Sequence, residues 1–173
     1  MLVLALLAWY LSFSASRIDR LHHRVEGARS ALDAQLVRRA EAAVELATCG
    51  ALDPASGLLV AGAASDALEV GEQSGREELR ETAESDLSRA LQVALEPELV
   101  AGLREDLVAW PMLERLRASG HRVQLARRFH NDAVTDATRV RAKPVARWAR
   151  LAGKADPPET FEMDDALPLA LTR

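Results

Sequence analysis

The sequence predicts an all-α fold: an antiparallel helical bundle of long helices, with an N-terminal transmembrane helix continuing into the first bundle helix. Two observations favour this fold. Ala, Leu, Arg and Glu, which are strong helix formers, dominate long stretches of the 173-residue chain. Apolar residues recur at steps of three and four, and no β pattern stands out. Because each helix has one apolar stripe, the stripes must be buried against one another, as in a bundle.

The first fifteen residues, MLVLALLAWYLSFSA, carry no charge. The run is slightly shorter than a usual membrane span of about 20 apolar residues. No basic stretch precedes it, no clear cleavage site follows, and it continues into Arg17 and Arg20 without a turn residue. We therefore expect residues 1–16 to be an uncleaved single-pass transmembrane anchor in the cell membrane; the alternative is a buried N-terminal helix. The arginines after the anchor place the following domain in the cytoplasm.

Residues 17–152 are predicted to form the bundle domain. Its first helix is expected over residues 16–47 and ends at Cys49-Gly50, because glycine commonly caps helix C-termini. Further elements are predicted over residues 58–70, 76–95, 98–108 and 111–141. Pro111 suits the first turn of the last helix. Residues 153–173 are acidic and contain proline, so we expect a flexible tail.

The net charge of −4 is unevenly distributed. Residues 66–106 contain twelve acidic and four basic residues, whereas residues 121–154 contain nine basic and two acidic ones. One interpretation is that an acidic helix packs beside a basic one. The alternative is that the basic segment 139–150 senses anionic lipid. The candidate lipid-facing residues are Arg141, Lys143, Arg147, Trp148 and Arg150. No nucleic acid partner is expected, because the protein is acidic overall and has no recognition motif.

No motif for catalysis or metal binding is found. A Gly-rich phosphate loop, a nucleophile elbow and a Cys–His arrangement are all missing from the sequence, which predicts a protein that is not an enzyme. His22 and His23 are adjacent and would point about 100° apart on a helix. His121 and His130 also miss the i, i+4 spacing of helical zinc sites. We therefore expect no metal and no cofactor.

Three polar residues fall on or near the apolar stripes. Arg39 lies near the stripe of the first helix, and Arg127 and Asn131 lie near that of the last. A buried charge is costly unless it is paired. We hypothesise a polar layer in which Arg39 or Arg127 meets Asn131, Asp33 or Asp132. The alternative is that these side chains reach solvent at the bundle edge.

Two stretches resemble the LemA family of bacterial membrane-associated proteins. The first is ARSALDAQLVRRAE, residues 28–41, and the second is ARRFHNDAV, residues 126–134. The matching polar positions are Asp33, Gln35, Arg38, Arg39, Arg127, Arg128 and Asn131. The pair Phe161-Glu162 is also similar to the family's C-terminal end, whereas His130 replaces its tyrosine. The resemblance implies a membrane-tethered antiparallel bundle, and it supplies no activity.

Taken together, these features predict a membrane-anchored, non-enzymatic scaffold or interaction protein. Its expected partners are membrane lipid, bound through the N-terminal anchor, and either another protein or a second copy of itself.

Overall fold

The computed structural model describes residues 2–73, 75, 77–142 and 157–172, and within residues 2–18 the side chains of only Trp9, Ser16 and Arg17. Five α-helices follow one another: α1 (Leu2–Thr48), α2 (Pro54–Glu72), α3 (Glu77–Ala94), α4 (Pro97–Gly102) and α5 (Ala109–Arg141). Short 3-10 turns occupy Leu103–Glu105 and Leu169–Leu171. The described residues contain no strand, and the predicted all-α bundle is confirmed for this part of the chain.

Local sequence explains where the helices begin and end. After α1, Gly50 adopts φ = 82°, a left-handed conformation that glycine tolerates best, as the sequence predicted. Asp53 then caps α2: its Oδ1 accepts hydrogen bonds from the backbone N–H groups of Ala55 and Ser56 at 3.0 and 3.1 Å. Hydrogen bonding to Ser56 and Ala55 also lowers the pKa of the Asp53 carboxyl below its ordinary value.

The chain divides into two compact units. One comprises residues 32–126 and 161–173, and it contains the main core, built by α1 to α5 from small and aliphatic side chains. Within this unit, Leu36 of α1 packs with Val123 of α5, and Glu45 pairs with Arg115. The numbers rise along α1 as they fall along α5, so the two helices are antiparallel here. Helices α2 and α3 form a hairpin that packs on the same core.

The other unit comprises residues 1–31 and 127–160. Here Arg24 pairs with Asp136 at 3.2 Å, and Arg141 donates a hydrogen bond from Nη1 to His22 Nε2 at 3.1 Å. The order of these contacts again makes α1 and α5 antiparallel within the unit.

Among the residues that the structure describes, no helix has a stretch long and apolar enough to cross a membrane. The transmembrane anchor predicted for residues 1–16 therefore stays a proposal.

The described part of the C-terminal segment is ordered against the bundle, so the prediction of a flexible tail is wrong for residues 161–172. Phe161 is fully buried in a cluster with Leu32, Leu36 and Val123. Leu171 is buried in the main core. Phe161, Met163 and Leu167 stand at even spacings and are buried or half-buried, which suits an extended segment with one face inward over residues 161–167. We call residues 161–172 the C-terminal strap.

Hydrogen bonds along both neighbouring helices hold the strap. On the α3 side, Glu81 and Ser85 accept hydrogen bonds from the backbone N–H groups of Glu162 and Asp164 at 2.7 and 3.0 Å. On the α5 side, Arg117 Nε donates to the carbonyl of Leu171 at 2.8 Å. The strap therefore satisfies its backbone with side chains of the bundle, as a segment packed on protein requires.

Candidate functional site

A buried polar layer lies between α1 and α3. Arg39 is the charged residue at its centre, and the exposed fraction of its side chain is only 4%. Its Nη2 donates to Glu84 Oε2 at 2.5 Å and to the Glu84 carbonyl at 2.9 Å, and its Nη1 donates to Ser88 Oγ at 2.9 Å. The Glu84 side chain is 2% exposed. Two opposite charges are thus buried together, and each compensates the desolvation of the other.

Arg39 is buried, which is one of the two alternatives that the sequence left open, and its partner is not among those hypothesised. The sequence hypothesis placed Arg39 or Arg127 against Asn131, Asp33 or Asp132. It is wrong for Arg39, whose partners are Glu84 and Ser88, and for Arg127 it stays a prediction. Asp33 pairs instead with Arg80 of α3 at 3.0 Å. Glu84 and Ser88 were missed because they stand next to the apolar positions of α3 and resemble an ordinary solvated flank. Their spacing of four residues, which places Glu84 and Ser88 on one face of α3, was the available signal.

The other residues of the LemA-like motifs have different surroundings. Gln35 is half-buried, and within the described residues its Oε1 has no hydrogen-bond partner. Arg38 and Arg128 are exposed, whereas Arg127 and Asn131 are half-buried. These motif residues are divided between the two units, with Arg127, Arg128 and Asn131 in the unit of residues 1–31 and 127–160.

The predicted lipid-facing patch falls mostly outside the described residues. Lys143, Arg147, Trp148 and Arg150 all lie in the range 143–156, which the structure does not describe. Arg141 is half-buried and hydrogen-bonded to His22. The lipid-sensing alternative therefore stays a prediction.

An exposed apolar groove runs between α2 and α3. It encloses about 520 Å³. Leu58, Leu59 and Val70 of α2 and Leu79 of α3 supply its largest side chains. Leu58 is 76% exposed and Leu79 is 51% exposed. Leu79 is in helical phase with Ala83 and Leu87, which are buried, yet it lines the groove and is not part of the core.

The charged residues around the groove are mainly acidic. Asp66 and Asp86 line it directly. Residues 54–94, which include both helices, contain eight acidic and three basic residues. Small residues, Gly62 and Ala63, form the α2 wall and let the cavity open between the helices. The result is an apolar channel with a negative rim.

Within the described ranges, no group of three or more His, Cys, Asp or Glu residues is placed to hold a metal ion. In the polar layer, Nη1 and Nη2 of Arg39 are hydrogen-bonded to Ser88 and Glu84, whereas its buried Nε has no hydrogen-bond partner within the described residues. The α2–α3 groove presents mainly apolar side chains, with Asp66 and Asp86 beside them. The groove is therefore suited to binding an apolar surface.

No protein-family model, no curated protein and no solved structure matches the chain. The likeness to the LemA family consequently remains a resemblance of the two motifs.

Proposed function

We propose that this chain is a membrane-anchored, non-enzymatic interaction protein whose α2–α3 groove binds a basic amphipathic helix of a partner protein. The observation that carries the proposal is the groove itself. It exposes Leu58, Leu59 and Leu79 along its length. Contiguous apolar surface of this kind is typical of interaction sites, and a groove between two helices suits a third helix.

The acidic residues around the groove favour a partner helix that is positively charged. Asp66 and Asp86 lie at the groove, on a hairpin that is acidic as a whole. A partner helix with Lys or Arg beside its apolar positions would be attracted and oriented, whereas an acidic helix would be repelled. Aliphatic or aromatic residues at positions i, i+3 or i+4, and i+7 of that helix would fill the channel.

The membrane anchor is the second part of the proposal. The uncharged run of residues 1–16 supports it, and so does Trp9, a large apolar residue that is 69% exposed on α1. The bundle would then be presented on the cytoplasmic side, next to the arginines that follow the run.

Photo-cross-linking in the cell's own membranes tests the groove. A benzophenone side chain at position 58 of the full chain is expected to give a discrete protein adduct. The adduct should be lost when Leu59→Asp is added, and it should weaken at high salt. Benzophenone at position 107 is the control, because Leu107 is 92% exposed and does not line the groove. Equal adducts at both positions, or none at position 58, would contradict the proposal.

Alkaline extraction tests the anchor separately. The full chain should stay in the membrane pellet at high pH, and a variant with Leu6→Arg and Leu7→Arg should be released, because charged residues are costly in the bilayer. Release of the unaltered chain would count against the anchor without affecting the groove. A reporter fused to the C-terminus then gives the side of the membrane.

A further inference from the structure

A second candidate site is lined by arginines and is polar, whereas the α2–α3 groove is apolar. Helices α1 and α5 enclose a half-open cleft of about 150 Å³. We call it the arginine cleft. It is lined by Arg38, Ala42 and Glu45 of α1 and by Arg115, Ser119 and Arg122 of α5. All six residues belong to the unit of residues 32–126 and 161–173.

Helical spacing explains why the side chains converge. Arg38 and Glu45 are seven residues apart on α1, and Arg115 and Arg122 are seven apart on α5. Seven residues make nearly two turns, so each pair lies along one face of its helix. Ala42 and Ser119 stand between the members of each pair, and both are buried. Their small side chains leave the space that larger residues would fill.

The charges in the cleft are not balanced. Glu45 pairs with Arg115 at 2.8 Å. Among the described residues, Arg38 and Arg122 have no ion-pair partner. Three guanidinium groups and one carboxylate therefore give the cleft a charge of about +2, although the chain as a whole carries −4. An excess of positive charge at a concave surface raises the local concentration of anions.

From these contacts we propose that the arginine cleft binds a phosphate group. A guanidinium presents its N–H donors in a planar fork that matches phosphate oxygens, and phosphate can accept from several guanidiniums at once. A carboxylate needs fewer donors, and Glu45 already accepts a hydrogen bond from Arg115 Nη1 at 2.8 Å. A cavity of about 150 Å³ elsewhere admits benzene, so one phosphate group fits here and the rest of its molecule must lie outside.

Calorimetric titration of the full chain, in neutral detergent micelles and at constant ionic strength, tests the proposal with inorganic phosphate as the probe. Saturable binding at one site is expected. Arg38→Gln and Arg122→Gln should each weaken it about tenfold, because a hydrogen bond to a charged group is lost. Glu45→Gln should strengthen binding, since it removes the cleft's carboxylate. Both arginines are exposed, so the fold should survive, and circular dichroism checks this.

Two control variants distinguish an effect of the cleft residues from an effect of the chain's net charge. Arg128→Gln removes one positive charge from an exposed position of α5 outside the cleft, and Glu41→Gln removes one negative charge from an exposed position of α1 outside it. Neither should change phosphate binding more than twofold. If either control matches its cleft variant, the proposal is overturned.

A lipid headgroup and free phosphate share this chemistry, and a second arm distinguishes them. Micelles doped with phosphatidic acid are compared with micelles doped with phosphatidylcholine. Displacement of bound inorganic phosphate by phosphatidic acid alone would identify a lipid phosphate as the source. Binding of inorganic phosphate without such displacement would identify a free phosphate compound. Absence of saturable binding in both arms, or binding that survives the Arg38→Gln and Arg122→Gln pair, would overturn the proposal.

Discussion

Replacement of Arg39 by methionine should strongly destabilise the unit that contains it. The change leaves the Glu84 carboxylate, which is 2% exposed, without a counter-charge and without the hydrogen bond that Arg39 Nη2 donates to it. Breaking a buried pair in this way costs about 3–5 kcal/mol. Since about 1 kcal/mol shifts the melting temperature by roughly 2–4 °C in a chain of this size, the melting temperature should fall by roughly 6–20 °C.

The double variant Arg39→Met with Glu84→Leu is expected to recover most of this loss. Both charges are then gone, and apolar side chains of similar length fill the space. Such replacements of buried pairs are often neutral or stabilising. Urea unfolding of the wild type, both single variants and the double variant gives the coupling free energy, which should be at least about 2 kcal/mol.

The exposed pair of Arg115 and Glu45 is the matched control. Its distance is 2.8 Å, yet its side chains are 59% and 46% exposed. The coupling free energy measured with Arg115→Met and Glu45→Leu should therefore be no more than about 1 kcal/mol. Additive effects of the Arg39 and Glu84 changes, or a coupling as small as that of the control, would refute the reasoning that burial gives this pair its importance.

Three further predictions concern the strap and a helix cap. Phe161→Ala should cost about 3–5 kcal/mol in urea unfolding, because the side chain is fully buried, whereas a loss below about 1 kcal/mol would mean that the strap is not packed. Gly120→Leu should destabilise by about 1–3 kcal/mol and be partly rescued by Leu167→Ala, since a Cβ at Gly120 would lie 2.4 Å from Leu167 Cδ2; failure of the rescue would count against this contact. Asp53→Ala should lower the melting temperature at pH 7. Because folding lowers the pKa of Asp53, its stabilisation is present above the unfolded pKa of about 3.9 and is lost as the pH falls through the folded value, so the gap to Asp53→Ala should narrow below pH 4. A gap that stays constant from pH 7 to pH 3 would contradict this, and Asp53→Asn, which keeps an acceptor without titrating, is the control.

Periodicity was sufficient to predict the helices and much of the core. Leu32, Leu36, Ala40 and Ala43 recur at steps of three and four along α1, and all four are buried. Val123 of α5 is buried as well. These predictions hold because helical spacing alone fixes which side chains share a face.

Tertiary partners were harder to predict, because they depend on which faces meet. The phase of Arg39 along α1 was compatible both with burial and with exposure at the bundle edge. It did not indicate the partner Glu84, since nothing in one helix specifies the register of its neighbour. The strap was missed for a different reason. Its acidic residues and Pro168 resemble a disordered tail, and its inward face repeats every two residues rather than every three or four. The α2–α3 groove was missed because the sequence alone does not distinguish a leucine that is exposed from one that is buried in the core.

The central claim is that the α2–α3 groove binds a basic amphipathic helix of a partner protein. Once cross-linking has identified that partner, its dissociation constant for the purified full chain in neutral micelles tests the claim most directly. Leu59→Asp or Leu79→Asp should weaken binding at least about tenfold, because each places a charge in the apolar contact. Leu107→Asp, at an exposed position outside the groove, should leave the dissociation constant unchanged. Equal weakening by all three variants, or by none, would contradict the account.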